Sequence, residues 1–218
     1  MTSDLKKPDI LLVHGGMHGG WCWRRVMPLL AAAGHDVHCP TLTGLGSRAH
    51  LGGRTVDLSL HIEDIMRVVE TEELTDFLLV GHSYAGMVIS GVADRRSGNT
   101  LDLLYLDALV PADGEAAADL VPRNIDYATF ADGMLPVIPG YDFGLNDPAD
   151  TAWVRRRVTP QSVRTVTEPI RLTSDLSPNL DRMHGRPRRA GANGSDRAAR
   201  SKARRRSLLA RKAARSAP

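Results

Sequence analysis

Leu78-Leu79-Val80-Gly81-His82-Ser83-Tyr84-Ala85-Gly86-Met87 sets a serine between a strand-like apolar run and a helix-like one. Gly81 to Ala85 nearly fits Gly-x-Ser-x-Gly, the turn that mounts a nucleophile between strand and helix. The serine of such a turn takes a strained backbone conformation that crowds the residues two away on either side, and small side chains relieve the crowding. Gly81 meets that need; Ala85 departs from it by one methyl, with Gly86 following. The helix start beneath Ser83 favours developing negative charge. The bland alternative is a structural turn serine.

The fold follows from what surrounds this turn. Ile10-Leu11-Leu12-Val13 reads as a buried parallel strand that stops at a glycine-rich loop. Helical spacing covers 21–33, with Trp23, Val26, Met27 and Leu30 on one face and Gly34 placed to end it. A brief strand spans 36–39, a loop 41–55, and a helix 56–73 with Leu60, Ile62, Ile65, Met66 and Val69 as its apolar face. Strands at 77–80 and 101–106 flank a helix from Ser83 to about Arg95. The β-α-β-α-β-α-β order predicts an α/β fold: a parallel sheet with helices on both faces.

Beyond Pro111 prolines recur, with short helices at 116–120 and 152–158, which suggests an insertion over the strand ends. The expected divisions are a core at 1–110, a lid at 111–181 and a basic, disordered tail at 182–218.

The formal charge of +3 conceals a split: residues 1–181 hold 15 Lys+Arg against 24 Asp+Glu, and residues 182–218 hold 13 against one. The body is acidic and the tail alone is basic. Arg and Ala supply 20 of the 37 tail residues, too little apolar surface to offset ordering entropy. Its composition matches a GC-rich gene read out of frame. That hypothesis fails if no one-base shift of the DNA restores an aspartate strand and a later histidine strand. The competing reading is a natural tail giving salt-sensitive binding to RNA or an acidic membrane. No apolar run reaches the roughly 18 residues of a membrane span, and the first residues lack a signal-peptide pattern. Cys22 and Cys39 fit neither a metal spacing nor a disulfide framework, so both are expected as reduced packing residues in a cytoplasmic protein.

Acyl transfer also needs two backbone N–H groups aimed at the developing oxyanion. Tyr84, after the serine, supplies one; the loop His14-Gly15-Gly16-Met17 supplies the other, most simply at Gly16. A dinucleotide loop is the weaker alternative, since the glycines do not make G-x-G-x-x-G. His14 and His18 flank the loop and could touch substrate or simply bond to it; His18 is the substrate-binding candidate.

VHGGMHGGWCWRRVMPLL (13–30), LTGLGSR (42–48), LLVGHSYAGMVI (78–89) and LLYLDALVPADG (103–114) resemble the alpha/beta-hydrolase superfamily over residues 8–180. The likeness is greatest to the branch of plant methyl esterases, hydroxynitrile lyases and bacterial esterase relatives. The resemblance implies a serine esterase acting on small carboxylic esters through an acyl-enzyme, with an oxyanion site at Gly16 and Tyr84, an apolar lid, and no metal or organic cofactor. No nucleic-acid or membrane partner is expected. A hydroxynitrile-lyase-like activity and a non-catalytic small-molecule binder are the alternatives.

The triad order in this fold is Ser, then Asp or Glu, then His, with the last two on strands after the lid. No such strands are readable beyond residue 181, so 101–106 is expected as an exposed sheet edge. His184 is the sole histidine after Ser83, in a cationic setting that disfavours an imidazolium. Asp107, ending the strand LLYLD, is a weak acid candidate for which turn capping is the favoured role. His82 is expected to pack, and His35, His38, His50 and His61 to lie on loops or a helix surface. Tyr127, Phe130, Met134, Leu135, Val137, Ile138, Tyr141, Phe143 and Trp153 suggest an apolar or aromatic pocket, and Arg155 to Arg157 a solvated face.

Overall fold

In a computed structural model, the structure describes residues 7–96, 101–121, 125–137, 139, 143–173 and 180–181. The apolar runs become strands. β1 (Asp9–Val13), β2 (Val37–His38), β3 (Phe77–His82), β4 (Leu101–Leu106) and β7 (Leu180–Asp181) form one sheet in the order β2-β1-β3-β4-β7. Every neighbouring pair is parallel. Ile10 to Val13 are all buried, as a strand covered on both faces requires. The register sets Val13 beside Gly81 and His82 beside Leu106. The chain therefore leaves β1, β3 and β4 at one level, and the loops carrying Gly15, Ser83 and Asp107 emerge at the same edge. Ligands of open α/β sheets bind outside the carboxyl ends of the strands.

One expectation is corrected here. β4 is not an exposed edge along its length: Leu103 and Leu104 pair with Leu180 and Asp181 of β7. Two residues suffice to make ladder bonds, but they are too short a run to be read from periodicity.

Helix α1 (Met27–Ala32) is shorter than the spacing predicts, and residues Gly20–Trp23 form a separate 3-10 turn. Pro28 explains the break, because it has no N–H to continue a helix from upstream and is suited to a first turn. α2 (Leu58–Thr71) is capped by Asp57, whose side chain accepts from the Leu60 N–H at 3.0 Å. Its buried stripe is Leu58, His61, Ile62, Ile65 and Val69. Leu60 faces outward instead, since two residues from Leu58 is about 200° around the helix. His61, expected on the surface, is fully buried.

α3 (Ala85–Arg95) is buried from Ala85 to Asp94. It meets α2 at Gly91, where a Cβ would lie 2.3 Å from Ile62 Cδ1. Gly91→Ala should therefore overpack this crossing and destabilise the chain by about 1–3 kcal/mol, measurable as a lowered urea midpoint. An unchanged midpoint would mean that Ile62 repacks freely.

After β4 come α4 (Ala117–Leu120), a 3-10 turn at Tyr127–Thr129, the antiparallel pair β5 (Met134–Leu135) and β6 (Gln161–Ser162), α5 (Pro148–Arg155) and α6 (Arg164–Thr167). α5 begins earlier than the apolar spacing suggests, because Asp147 caps it and Pro148 opens it. Arg25 grips Asp150 of α5 bidentately at 3.0 and 2.6 Å, and Trp153 meets Trp21 edge-on at 5.0 Å. Arg157, expected on a wet face, instead stacks over Trp153 at 4.5 Å. α6 is tied to the start of α2 by Arg164–Asp57 and by Glu168 accepting from Ser59. Residues 182–218, with the basic tail and His184, lie outside the described residues, as do Ile138 and Tyr141.

Candidate active site

Ser83 has φ +55°, in the left-handed region that a non-glycine residue enters only under constraint. Three backbone bonds hold it. Its carbonyl accepts from the N–H groups of Gly86 at 3.1 Å and Leu109 at 3.0 Å, and its own N–H donates to the Leu106 carbonyl at 3.4 Å. Ala85 does not obstruct the turn. A Cβ on Gly81 would lie 2.9 Å from the Ala85 carbonyl oxygen, and a Cβ on Gly86 would lie 1.9 Å from the Leu109 oxygen. The severe close approach thus falls at Gly86, and Ala85 is accommodated fully buried. The Ser83 hydroxyl is half-buried and bonds to no other group among the described residues.

The loop after β1 is fixed peptide by peptide. The Gly15 carbonyl accepts from His14 Nδ1–H at 2.8 Å and from the His18 N–H at 3.4 Å. In a trans peptide the N–H points opposite to the carbonyl, so the Gly16 N–H is turned away from those donors. The next unit is held at both ends: the Gly16 carbonyl accepts from His18 Nδ1–H at 2.7 Å, and the Met17 N–H donates to Gln161 Oε1 at 2.8 Å. Met17, at φ +63°, is fixed further by its carbonyl, which accepts from the Thr159 N–H at 3.0 Å. A Cβ placed on Gly16 would lie 3.6 Å from Tyr84 Cβ, and one on Gly15 3.1 Å from Ser83 Cβ. The loop therefore rests directly on the serine turn. Among the described residues, neither the Gly16 nor the Tyr84 N–H has a hydrogen-bond acceptor.

Among the described residues, His14 and His61 have both ring nitrogens engaged away from Ser83. His14 donates from Nδ1, so its Nε2 accepts from the Leu42 N–H at 3.1 Å; burial pushes it down to about 3. His61 Nε2–H donates to the Thr43 carbonyl at 2.9 Å, which leaves Nδ1 to accept from the Tyr84 hydroxyl at 3.0 Å. Burial lowers His61 and raises the Tyr84 phenol well above its usual range. His18 stacks on Trp21 at 5.2 Å and meets Phe143 edge-on at 4.8 Å; burial keeps it neutral at lower pH than usual. Its Nε2 has no partner among the described residues. His82 packs edge-on to Trp23 at 6.3 Å, as expected. His35 bonds to the Pro8 carbonyl, and His38 lies 3.9 Å from Glu72. None is hydrogen-bonded to Ser83.

Asp107 has φ +45° and is exposed beside the serine turn. The capping bond expected of it is not formed among the described residues; its carboxylate instead lies close enough to His82 to favour that ring's cation, against the larger effect of burial. The Cys22 and Cys39 thiols are free and pushed up to about 12 and about 11 by burial, which makes them poor nucleophiles. Among the described residues no cluster of three metal-ligating side chains occurs, and no helix is long and apolar enough to cross a membrane. Thr43, Leu45, His61, Gln161, Ser162 and Thr165 border a shallow surface dent with no room for a bound molecule, and neither Ser83 nor Tyr84 lines it.

Two parts of this arrangement escaped the sequence. His61 keeps the phase of the α2 stripe, three residues after Leu58 and four before Ile65, a signal that its polarity masked. Gln161 lies 144 residues from Met17 and carries no local signature.

The alpha/beta hydrolase family model matches residues 10–215. A carbendazim-hydrolyzing esterase of Nocardioides sp. (strain SG-4G) is 41% identical over 191 residues, covering 81% of this chain and 78% of the relative. A pyrethroid hydrolase of Sphingobium wenxiniae is 37% identical, and methylesterase 1 of Arabidopsis thaliana 31%. The chain spans only 38% and 43% of those two, which match 49% and 51% of it. An extracellular alpha/beta-hydrolase from a Paenibacillus species superposes with a TM-score of 0.68 at 20% identity, over 77% of this chain and 72% of the other. A pyrethroid hydrolase structure superposes with a TM-score of 0.56 at 26% identity, with the same coverage. With the strand order, the strained serine and the family match all in agreement, the chain belongs to the alpha/beta hydrolase family.

Proposed function

We propose that the chain attacks small carboxylic esters through Ser83, forming an acyl-enzyme. Ser83 Oγ adds to the carbonyl carbon, the alkoxide leaves as the alcohol with a proton, and water then releases the acid. The Gly16 and Tyr84 N–H groups receive the oxyanion of each tetrahedral intermediate. What supports this reading is that the Gly15–Gly16 loop rests on a serine turn held at φ +55°, and that among the described residues the Gly16 and Tyr84 N–H groups and the Ser83 hydroxyl have no hydrogen-bond partner. His18 contacts the substrate through Nε2, and its neighbours Trp21 and Phe143 favour an apolar or aromatic group there. Residues 111–181 act as the lid over this edge, and residues 1–110 as the core. Relatives named as esterases and methylesterases agree with this reaction class, and the free cysteines suit a cytoplasmic setting.

The test is acylation itself. Incubation with p-nitrophenyl acetate should add one acetyl group, located by peptide mass spectrometry on Ser83, and Ser83→Ala should lose it. Acetylation only at lysines, equal in both proteins, would overturn the reading.

A further inference from the structure

The oxyanion loop is held from outside by the segment that follows β4. Gln161 is 2% exposed, and both ends of its amide are used: Oε1 accepts from the Met17 N–H at 2.8 Å, and Nε2 donates to Thr165 Oγ1 at 2.7 Å. Thr165, fully buried, passes its own hydroxyl proton to the Ser162 carbonyl at 2.7 Å. This chain fixes the amide's orientation, since a flipped Gln161 would set an N–H against the Met17 N–H. A Cβ on Gly16 would lie 2.8 Å from Gln161 Oε1, so Gln161 also closes the back of the Gly16 position. Met17 stands at φ +63°, a conformation that costs about 1 kcal/mol or more and persists only when its surroundings enforce it. The Thr159 N–H, two residues before Gln161, takes the Met17 carbonyl.

We propose that Gln161 is a positioning residue for ester hydrolysis: by gripping the Gly16–Met17 peptide, it holds the Gly16 N–H aimed at the oxyanion beside Ser83. The inference rests on the reading of Gly16 and Tyr84 as oxyanion donors. It couples the segment carrying β6 and α6 to the chemistry, although Gln161 touches no reacting atom. Donors of this kind act only in the transition state, so loosening one slows the chemical step without weakening substrate binding.

The experiment compares Gln161→Met, Gln161→Glu and the unaltered chain. Gln161→Met keeps length and volume but accepts no comparable bond. It should lower the rate constant for Ser83 acetylation by p-nitrophenyl acetate at least tenfold, with the half-saturating concentration unchanged. Gln161→Glu, when protonated, retains a carbonyl for the Met17 N–H and an O–H for Thr165. It should acylate near the unaltered rate at low pH and lose rate as it ionises beside the developing oxyanion. The titratable groups around the position are His18, bonded to the Gly16 carbonyl, His61, which borders the same dent, and Tyr84, whose hydroxyl meets Thr165, with Glu168, Asp57 and Asp64 acting on Tyr84 by charge. The unaltered chain carries all of them, so the falling limb must be absent from its profile. Amide hydrogen exchange at Met17 should quicken at least tenfold in Gln161→Met, with Met87 and Val88 unchanged. Unchanged acylation with Ser83-dependent chemistry intact would overturn the positioning role. If Ser83 is never acetylated, the proposed reaction fails, and unaltered Met17 exchange in Gln161→Met would separately overturn the grip.

Discussion

Between pH 7 and pH 5 the folded chain should lose at least about 2 kcal/mol of stability, well above the range where most carboxylates titrate. The cause is His14. Its ordinary value is 6.5 and burial takes it to about 3, with His61, His18 and His82 nearby adding to the shift. The unfolded chain binds this proton below pH 6.5, while the folded chain refuses it until about 3. The stabilisation is therefore complete above pH 6.5 and is lost progressively as pH falls through that window, at about 1.4 kcal/mol per pH unit per histidine. His61 acts in the same direction. Its burial outweighs the Asp64 and Asp57 charges that favour the cation, and protonating Nδ1 would break the bond from Tyr84. Urea unfolding at half-unit pH steps measures the slope. His14→Gln should be less stable at pH 7 but lose about one proton's worth of slope. A flat profile from pH 7 to 5, or an unchanged slope in the variant, would show that His14 is reached by solvent.

What could be read in advance followed from whether a residue's role is local. Ile10 to Val13 and Phe77 to Val80 announce parallel strands because both faces are buried and no polar residue interrupts them. Ser83 announces itself because its neighbours must be small for steric reasons that operate within a few residues, and Gly81 and Gly86 answer that need. Pro28, in the first turn of α1, divides a helix that apolar spacing alone ran unbroken from 21 to 33. The failures were of another kind. Asp107 looked like a turn cap by residue type, yet among the described residues its side chain makes no such hydrogen bond and acts on His82 instead. His61 and Gln161 were missed because each is a polar residue made acceptable in the core by a partner distant in sequence, Tyr84 for one and Met17 with Thr165 for the other. Burial of such groups is favourable only when every donor and acceptor is matched, and a match across 144 residues leaves no trace in local pattern.

Sustained turnover should be slow. We expect the purified, folded chain to hydrolyse p-nitrophenyl acetate at least about 10³-fold more slowly than a serine hydrolase with a complete triad. Acylation needs a base to take the Ser83 proton, and release of the acyl group needs the same base to activate water. Each described histidine with both ring nitrogens engaged, His14 and His61, is fixed in the neutral form by partners other than Ser83. His18 gives its Nδ1–H to the Gly16 carbonyl, and His82 faces Trp23. His184 follows Ser83 in the family's chain order, but its neighbours Gly185-Arg186-Pro187-Arg188-Arg189 are cationic and disfavour the imidazolium that base catalysis creates. His184→Ala should thus leave the rate within twofold. Oxyanion donors such as those proposed at Gly16 and Tyr84 act without a base and retain about 10³–10⁴-fold over water in enzymes stripped of their triad, which is why Ser83→Ala should still lower the rate measurably. The informative trace is a Ser83-dependent burst of p-nitrophenol followed by a much slower phase, the signature of an acyl-enzyme that forms more readily than it clears. Fast, linear turnover abolished by His184→Ala would establish a working base at His184 and overturn the expectation. Equal background rates in the unaltered chain and Ser83→Ala would leave a scaffold that binds esters without cleaving them.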